Sequence, residues 1–173
     1  MGVKQTGAGS SYVDLAWDAQ LGAGHYHTQF SQDGKNWIDM DNSSSPSESV
    51  YNLTQGASYY ARVVAYKGSH YTGTHVMIGV SETAIVSTKP TEVSGLTQTA
   101  AGVNSVSMSW NASAGAASYV IYGYINYNWT QIGTSATNSA TITGVAATTS
   151  TRFSVAAVKN VTGGTVTGDQ CSG

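Results

Sequence analysis

Apolar and polar residues alternate one by one in two short segments of the chain, residues 13–17 and 106–110. Alternation at a period of two is typical of a β-strand with one buried and one exposed face. No stretch has the apolar spacing of an amphipathic helix, and turn-forming residues return about every eight to twelve positions. The pattern therefore predicts an all-β fold in which short strands pack as a sandwich.

The chain contains this pattern twice. Trp17 aligns with Trp110 and, after a slip of one residue in the alignment, Trp37 aligns with Trp129, so that the four tryptophans form two equivalent pairs. An internal repeat of this kind predicts two modules of the same fold. We expect one domain at residues 1–88 and a second at 89–173, with about seven strands each. A short linker is predicted at 87–92, which holds one of the two prolines.

Composition narrows the classes of partner. Charged residues make up 9% of the chain and the net charge is −2, which provides neither the basic patch that nucleic acid requires nor an acidic tail. No apolar run is long enough for a membrane-spanning helix. Met1 and Gly2 lead into the repeat without the features of a signal peptide. Cys171 is the single cysteine, so it is either a free thiol or part of a disulfide between two chains.

A longer motif runs from Leu53 to Ala65. Its leucine, glycine, tyrosine, valine and alanine match the Leu-x-Pro-Gly-x-x-Tyr-x-x-x-Val-x-Ala pattern of the fibronectin type III family, with Gln55 in place of proline. The resemblance covers nearly the whole chain and implies two immunoglobulin-like β-sandwiches. It also implies a tyrosine corner, in which the Tyr59 hydroxyl bonds to backbone a few residues upstream. Thr151 occupies this position in the second repeat, so we expect the second domain to be the less stable.

Within this fold, alternation assigns each side chain to the core or to solvent. The predicted core residues are Trp17, Tyr26, Thr28, Phe30, Leu53, Tyr59, Ala61, Val63 and Ala65 in the first repeat, and Trp110, Tyr119, Ile121, Val145, Phe153, Val155 and Ala157 in the second. The residues predicted to face outward from the two central strands are His25, His27, Gln29, Tyr60, Arg62, Val64 and Tyr66, and then Val120, Tyr122, Tyr124, Ala156 and Val158. The second outward set is apolar and aromatic. It indicates contact with a partner or neighbouring subunit, or packing under a loop or against the first domain.

Tryptophans and histidines are the remaining candidates for ligand contact. Trp37 and Trp129 follow the central hairpin and either cover the sheet edge or stack on a sugar ring. The fibronectin-like fold brings the loops around four histidines to one end of the first domain, which makes a zinc or nickel site conceivable. Their spacing matches no known ligand motif, so surface histidines are the favoured interpretation and no metal is predicted. The four residues are His25, His27, His70 and His75.

No nucleophile, phosphate-binding or acid–base motif occurs in the sequence. We therefore expect no enzymatic activity and no cofactor. The candidate binding residues are Val120, Tyr122, Tyr124 and Trp129 in the second repeat, and Trp37, Tyr60, Arg62 and Tyr66 in the first.

Three functions remain open. The favoured one is a structural or binding protein that decorates or attaches a phage virion through protein–protein contacts, with a protein partner or a neighbouring subunit. The alternative is a spacer or accessory module pair from a secreted bacterial adhesin or glycoside hydrolase. The third is a carbohydrate- or metal-binding module. All three place the chain at an extracellular, cell or virion surface, without nucleic acid and without membrane insertion.

Overall fold

The chain forms two β-sandwiches in the computed structural model, which describes residues 1–68, 73–145 and 151–171. Every regular element of these residues is a β-strand, as the alternating pattern predicts. The chain divides into two compact units, Met1–Lys89 with Asn160–Thr165, and Pro90–Lys159 with Val166–Gly173. Within the described residues, no helix has the length and apolar character to cross a membrane.

The first sandwich contains two antiparallel sheets. One sheet has the order β1-β2-β5, with β1 at Val3–Ala8, β2 at Val13–Trp17 and β5 at Ser47–Val50. The other has the order β4-β3-β6-β7, with β3 at His25–Ser31, β4 at Ile38–Ser43, β6 at Ser58–Gly68 and β7 at His75–Val80. A further strand, β8 (Ala84–Ser87), pairs with the beginning of β6.

The second sandwich repeats this arrangement. Its smaller sheet has the order β13-β10-β9, with β9 at Thr97–Ala101, β10 at Ser105–Ser109 and β13 at Ser139–Thr143. Its larger sheet has the order β12-β11-β14-β15, with β11 at Ser118–Ile125, β12 at Asn128–Ser135, β14 at Phe153–Val161 and β15 at Gly164–Thr167. In both copies a three-stranded sheet therefore faces a larger one, which has five strands with β8 in the first sandwich and four in the second. This is the layered solution for burying one face of each sheet.

The core of each sandwich consists largely of the residues that alternation predicts. In the first, all nine predicted residues are buried except Tyr59, which is half-buried at the margin of the core. In the second, Val145 and Phe153 are half-buried and the other five are buried. An edge-to-face ring pair lies at the centre of both cores, Trp17 with Tyr26 at 5.5 Å and Trp110 with Tyr119 at 5.3 Å between centroids.

Tyrosine hydroxyls tie the sheets to neighbouring turns. The Thr54 N–H donates to the Tyr59 hydroxyl at 3.0 Å, which confirms the predicted tyrosine corner. A second bond of this kind occurs in both sandwiches, where the N–H of Gln20 donates to Tyr26 and that of Ser113 donates to Tyr119, each at 3.0 Å. The second sandwich therefore retains one of the two tyrosine–backbone bonds of the first.

The C-terminal segment completes the second core. Cys171 is 6% exposed, and its sulfur accepts a hydrogen bond from the Val155 N–H at 3.1 Å while its own N–H donates to the Val155 carbonyl at 3.0 Å. A disulfide between chains requires an exposed thiol. Of the two interpretations of this cysteine, the structure supports the free thiol, which serves as a small apolar core residue.

The predicted linker is wrong in its first half. Ser87 ends β8, and Ser87 and Thr88 are both fully buried. The Thr88 hydroxyl donates to the Thr54 carbonyl at 2.8 Å, and the Lys89 N–H donates to the Gly9 carbonyl at 2.9 Å. These residues belong to the first sandwich because their polar groups are satisfied by its turns, which no linear pattern of Ser, Thr, Lys and Pro reveals.

Candidate functional site

A layer of packed rings lies on the outer face of the first large sheet. His25 is next to Tyr66 on the neighbouring strand and stacks on it with centroids 5.2 Å apart and an angle of 9°. His75 meets Tyr66 edge-on at 4.8 Å, and His27 lies 5.3 Å from His25. Nδ1 of His25 is 3.2 Å from the Gly68 carbonyl oxygen. Tyr66, one of the predicted binding residues, is therefore half-buried in this layer.

Two residues of this face were predicted to be solvent-exposed and are not. His25 is 4% exposed and Val64 is 3% exposed. Alternation assigns them correctly to the outer face, as their pairing with Tyr66 and His27 shows. The prediction of exposure is wrong because neighbouring strands cover these residues: His25 packs against Tyr66 and His75, and Val64 lies between His27 and Val80.

The metal hypothesis gains no support from this cluster. His70 lies outside the described residues. Among the residues that the structure does describe, no group of three or more His, Cys, Asp or Glu side chains is arranged to hold a metal ion. His25, His27 and His75 instead contact one another and Tyr66 through their ring faces and edges.

Further along the same face, a chain of contacts joins Trp37 to the sheet. The Arg62 guanidinium lies 4.1 Å from the centre of the Trp37 ring, a cation–π contact. The Arg62 Nε donates to the Gln29 side chain at 2.8 Å, and the Gln29 amide donates to Asp39 at 2.7 Å. Trp37 and Arg62 are thus engaged within the first sandwich, whereas neighbouring Tyr60 is 38% exposed.

An open cleft of about 520 Å³ in the first sandwich was not predicted from the sequence. Phe30, Leu53 and Tyr59 line its apolar side. At its rim, the backbone N–H groups of Asn36 and Lys35 donate to Asp33 and hold the pKa of this carboxyl well below its usual range. Because these bonds occupy the carboxylate, Asp33 acts as the cap of its turn.

The outer face of the second large sheet carries the other predicted set. Val120 and Tyr122 are half-buried, and Tyr124 is 38% exposed. Ala156 and Val158 were predicted to be exposed and are buried, at 0% and 6%. The reason is their position on β14, which lies between β11 and β15, so that flanking side chains cover the short ones.

The exposed aromatic surface of the second sandwich is concentrated at the end of the β11–β12 hairpin. Tyr124 and Trp129 are direct cross-strand partners, and their rings meet edge-to-face at 5.3 Å. Trp129 is 40% exposed and Tyr127 at the turn is 90% exposed. Candidate residues from two strands are therefore brought together here, with no charged residue anywhere between Glu92 and Arg152.

The turn itself is unusual and was not predicted. Ile125 pairs with Asn128, which leaves Asn126 and Tyr127 as a two-residue turn with φ values of 50° and 66°. Such turns favour glycine at the second position, and a bulky residue there is strained. One signal in the sequence could have indicated a different turn. The alignment of the two repeats shifts by one residue between the first and second tryptophan pairs, and this segment contains the hairpin.

No family model matches the chain, and no curated protein matches it. Among solved structures, a two-domain fibronectin type III segment of chicken tenascin is similar over 99% of this chain and 95% of that one, with 18% identity and a TM-score of 0.48. The FN1–FN3 domains of chicken CNTN1 are similar over 95% of this chain and 59% of that one, at 13% identity and a TM-score of 0.48.

A single domain of human fibronectin type III domain containing protein 3 covers 50% of this chain and 80% of its own, at 19% identity and a TM-score of 0.40. At these identities the likeness concerns the fold alone. The sheet orders and the tyrosine corner described above carry the assignment. By fold, the chain consists of two tandem β-sandwiches of the fibronectin type III kind.

Proposed function

We propose that this chain is a non-enzymatic structural or binding protein, displayed on a virion or cell surface, that works through protein–protein contacts. Its two modules span residues 1–88 and 89–173. The contact surface is the outer face of the second large sheet, centred on Tyr122, Tyr124 and Trp129. The observation that carries the proposal is the exposure of these aromatic rings on a sheet face. The exposed Arg152 lies beside them, since its carbonyl accepts a hydrogen bond from the Tyr124 N–H at 2.9 Å.

The chemistry of the surface supports a protein partner. Tyrosine and tryptophan are enriched among the residues that dominate binding energy, because they bury a large area with few rotatable bonds. At about 25 cal/mol per Å2, covering a few hundred Å2 of such surface contributes several kcal/mol before the costs of association. The corresponding face of the first sandwich offers less, since its Trp37 and Arg62 already contact each other and Tyr66 is half-buried among the histidine rings.

A pair of variants tests this surface. The double variant Tyr122→Ser/Tyr124→Ser removes the aromatic side chains, and Tyr60→Ser removes an equally exposed tyrosine from the first sandwich as a matched control. The immobilised wild-type chain is incubated with virions and lysate of its source, and retained proteins are identified by mass spectrometry. We expect the control to retain the same partner and the double variant to lose it. Equal retention by all three chains contradicts the proposal.

The surface on which the chain is displayed is tested separately. The genes around its reading frame distinguish a virion protein, encoded among capsid and tail genes, from a module of a longer adhesin or glycoside hydrolase. Immunogold labelling of intact particles then shows whether the chain is on their outside. Absence of label from particles that otherwise assemble contradicts the virion assignment and leaves the contact surface unaffected.

A further inference from the structure

The β12 strand lies at the edge of its sheet. Among the described strands it has one hydrogen-bonded neighbour in that sheet, β11, and the equivalent strand β4 of the first sandwich likewise has only β3. The outer N–H and C=O groups of an edge strand are a template on which another strand can pair. The first four residues of β12, from Asn128 to Gln131, are all exposed.

The two edges differ in charge. β4 carries Asp39 and Asp41, both exposed. In the repeat alignment that matches Trp37 with Trp129, the corresponding residues of β12 are Gln131 and Gly133. Charged side chains on an edge strand block pairing with another chain. The first sandwich therefore has this protection, and the second lacks it.

A bulge does not account for the difference, because both strands contain one. The register shifts opposite Thr28/Gln29 in the first sandwich and opposite Ile121/Tyr122 in the second. Before the bulge, β4 contributes two regularly paired residues, Ile38 and Asp39, whereas β12 contributes four, from Asn128 to Gln131. The unprotected edge is thus also the one with the longer regular stretch.

We propose that β12 pairs antiparallel with β12 of a second copy of this chain, around a two-fold axis that runs normal to the sheet midway between the two copies of Thr130. Residues on the same side of the sheet then face each other, so that Trp129 of each copy lies opposite Gln131 of the other. Thr130 faces its own equivalent, a favourable cross-strand pair. In a two-fold interface the same surface of each copy contacts the other, and an uncharged strand can pair with its own copy without electrostatic repulsion.

This inference rests on the proposed function, in which a neighbouring subunit is one kind of partner. It identifies that subunit as a second copy of this chain. The seam is short, so the contact belongs to the class of small, transient interfaces. We expect a dissociation constant on the order of 10⁻⁴ M in solution. On a surface where many copies are held side by side, such a weak contact is strengthened by effective concentration.

Sedimentation velocity of the full chain from about 10 µM to about 1 mM tests the pairing. We expect a monomer–dimer equilibrium for the wild type, and at least a tenfold weaker one for Gln131→Asp, which copies Asp39 of the first sandwich onto this edge. Gln131→Asn is the uncharged control and dimerises like the wild type. Circular dichroism and thermal unfolding establish that both variants are folded.

Three results overturn the inference. The first is a wild type that stays monomeric at the highest concentration. The second is a Gln131→Asp variant that dimerises as well as Gln131→Asn. The third is an Asp39→Gln variant, altered in the first sandwich, that changes dimerisation as strongly as Gln131→Asp does. Retention of a partner by immobilised Gln131→Asp separates the two proposals. If this variant is monomeric and still binds, the contact surface stands by itself, and if the wild type is monomeric but binds, the self-pairing alone fails.

Discussion

Removing the hydroxyl of Tyr59 isolates the contribution of the tyrosine corner. In Tyr59→Phe the ring keeps its contact with Phe30, whose centroid is 5.7 Å away. What is lost is the 3.0 Å bond from the Thr54 N–H. Thr54 is exposed, so water can reach its amide and no buried donor is left unpaired. The free energy of unfolding of the first sandwich should therefore fall by the net value of one hydrogen bond, about 1 kcal/mol.

For a domain of this size, about 1 kcal/mol lowers the melting temperature by roughly 4–8 °C. Calorimetry measures the shift, and hydrogen exchange read by mass spectrometry assigns it, because peptides from β3 and β6 should exchange faster while those from β11 and β14 do not change. Tyr60→Phe is the control for loss of an exposed hydroxyl on the same strand. An unchanged melting temperature, or a loss of protection shared equally by both sandwiches, contradicts this prediction.

For three further substitutions, the structure determines the direction of the change in folding stability. Tyr127→Gly should stabilise the second sandwich by about 1 kcal/mol in urea unfolding, since glycine removes the strain of a φ of 66°; a lower midpoint contradicts this. Burial lowers the pKa of Lys159, so its charged form is penalised in the folded state at neutral pH. The stability of the wild type relative to Lys159→Met should rise as the pH approaches about 10.4, and a constant difference argues against it. The depressed pKa of Asp33 stabilises the fold above the ordinary carboxyl value of about 4. Asp33→Asn should therefore be less stable than the wild type at pH ~7 by chemical denaturation, and the difference should shrink as the pH falls below ~4.

The sequence was sufficient for the architecture because its main signals are local or repeated. Period-two alternation identified the inward faces of the strands, and nearly all predicted core residues are buried. The Leu53–Ala65 motif also predicted a specific bond, between Tyr59 and upstream backbone, which the structure contains. The equivalent bonds of Tyr26 and Tyr119 were missed, although both residues were correctly placed in the core. Their hydroxyl partners lie in turns whose course the pattern of apolar residues does not define.

Exposure on the outer faces could not be predicted in the same way. Alternation says which side of a sheet a residue occupies, but coverage depends on side chains from neighbouring strands that are distant in sequence. His25 is buried by Tyr66 and His75, and Ala156 is buried between two strands, for this reason. For the candidate site, the sequence supplied the aromatic residues, and pairing of β11 with β12 brought Tyr124 and Trp129 together.

Alternation and the internal repeat are enough to show a duplicated β-sandwich whose second copy has no charged residue between Glu92 and Arg152. Where the absence of charge has a consequence depends on how the strands pair in the folded chain. On a strand with two neighbours, an uncharged residue is unremarkable because its backbone is already paired. On β12, which has one neighbour in its sheet among the described strands, the same residues leave open hydrogen-bonding groups without the repulsion that would keep another strand away.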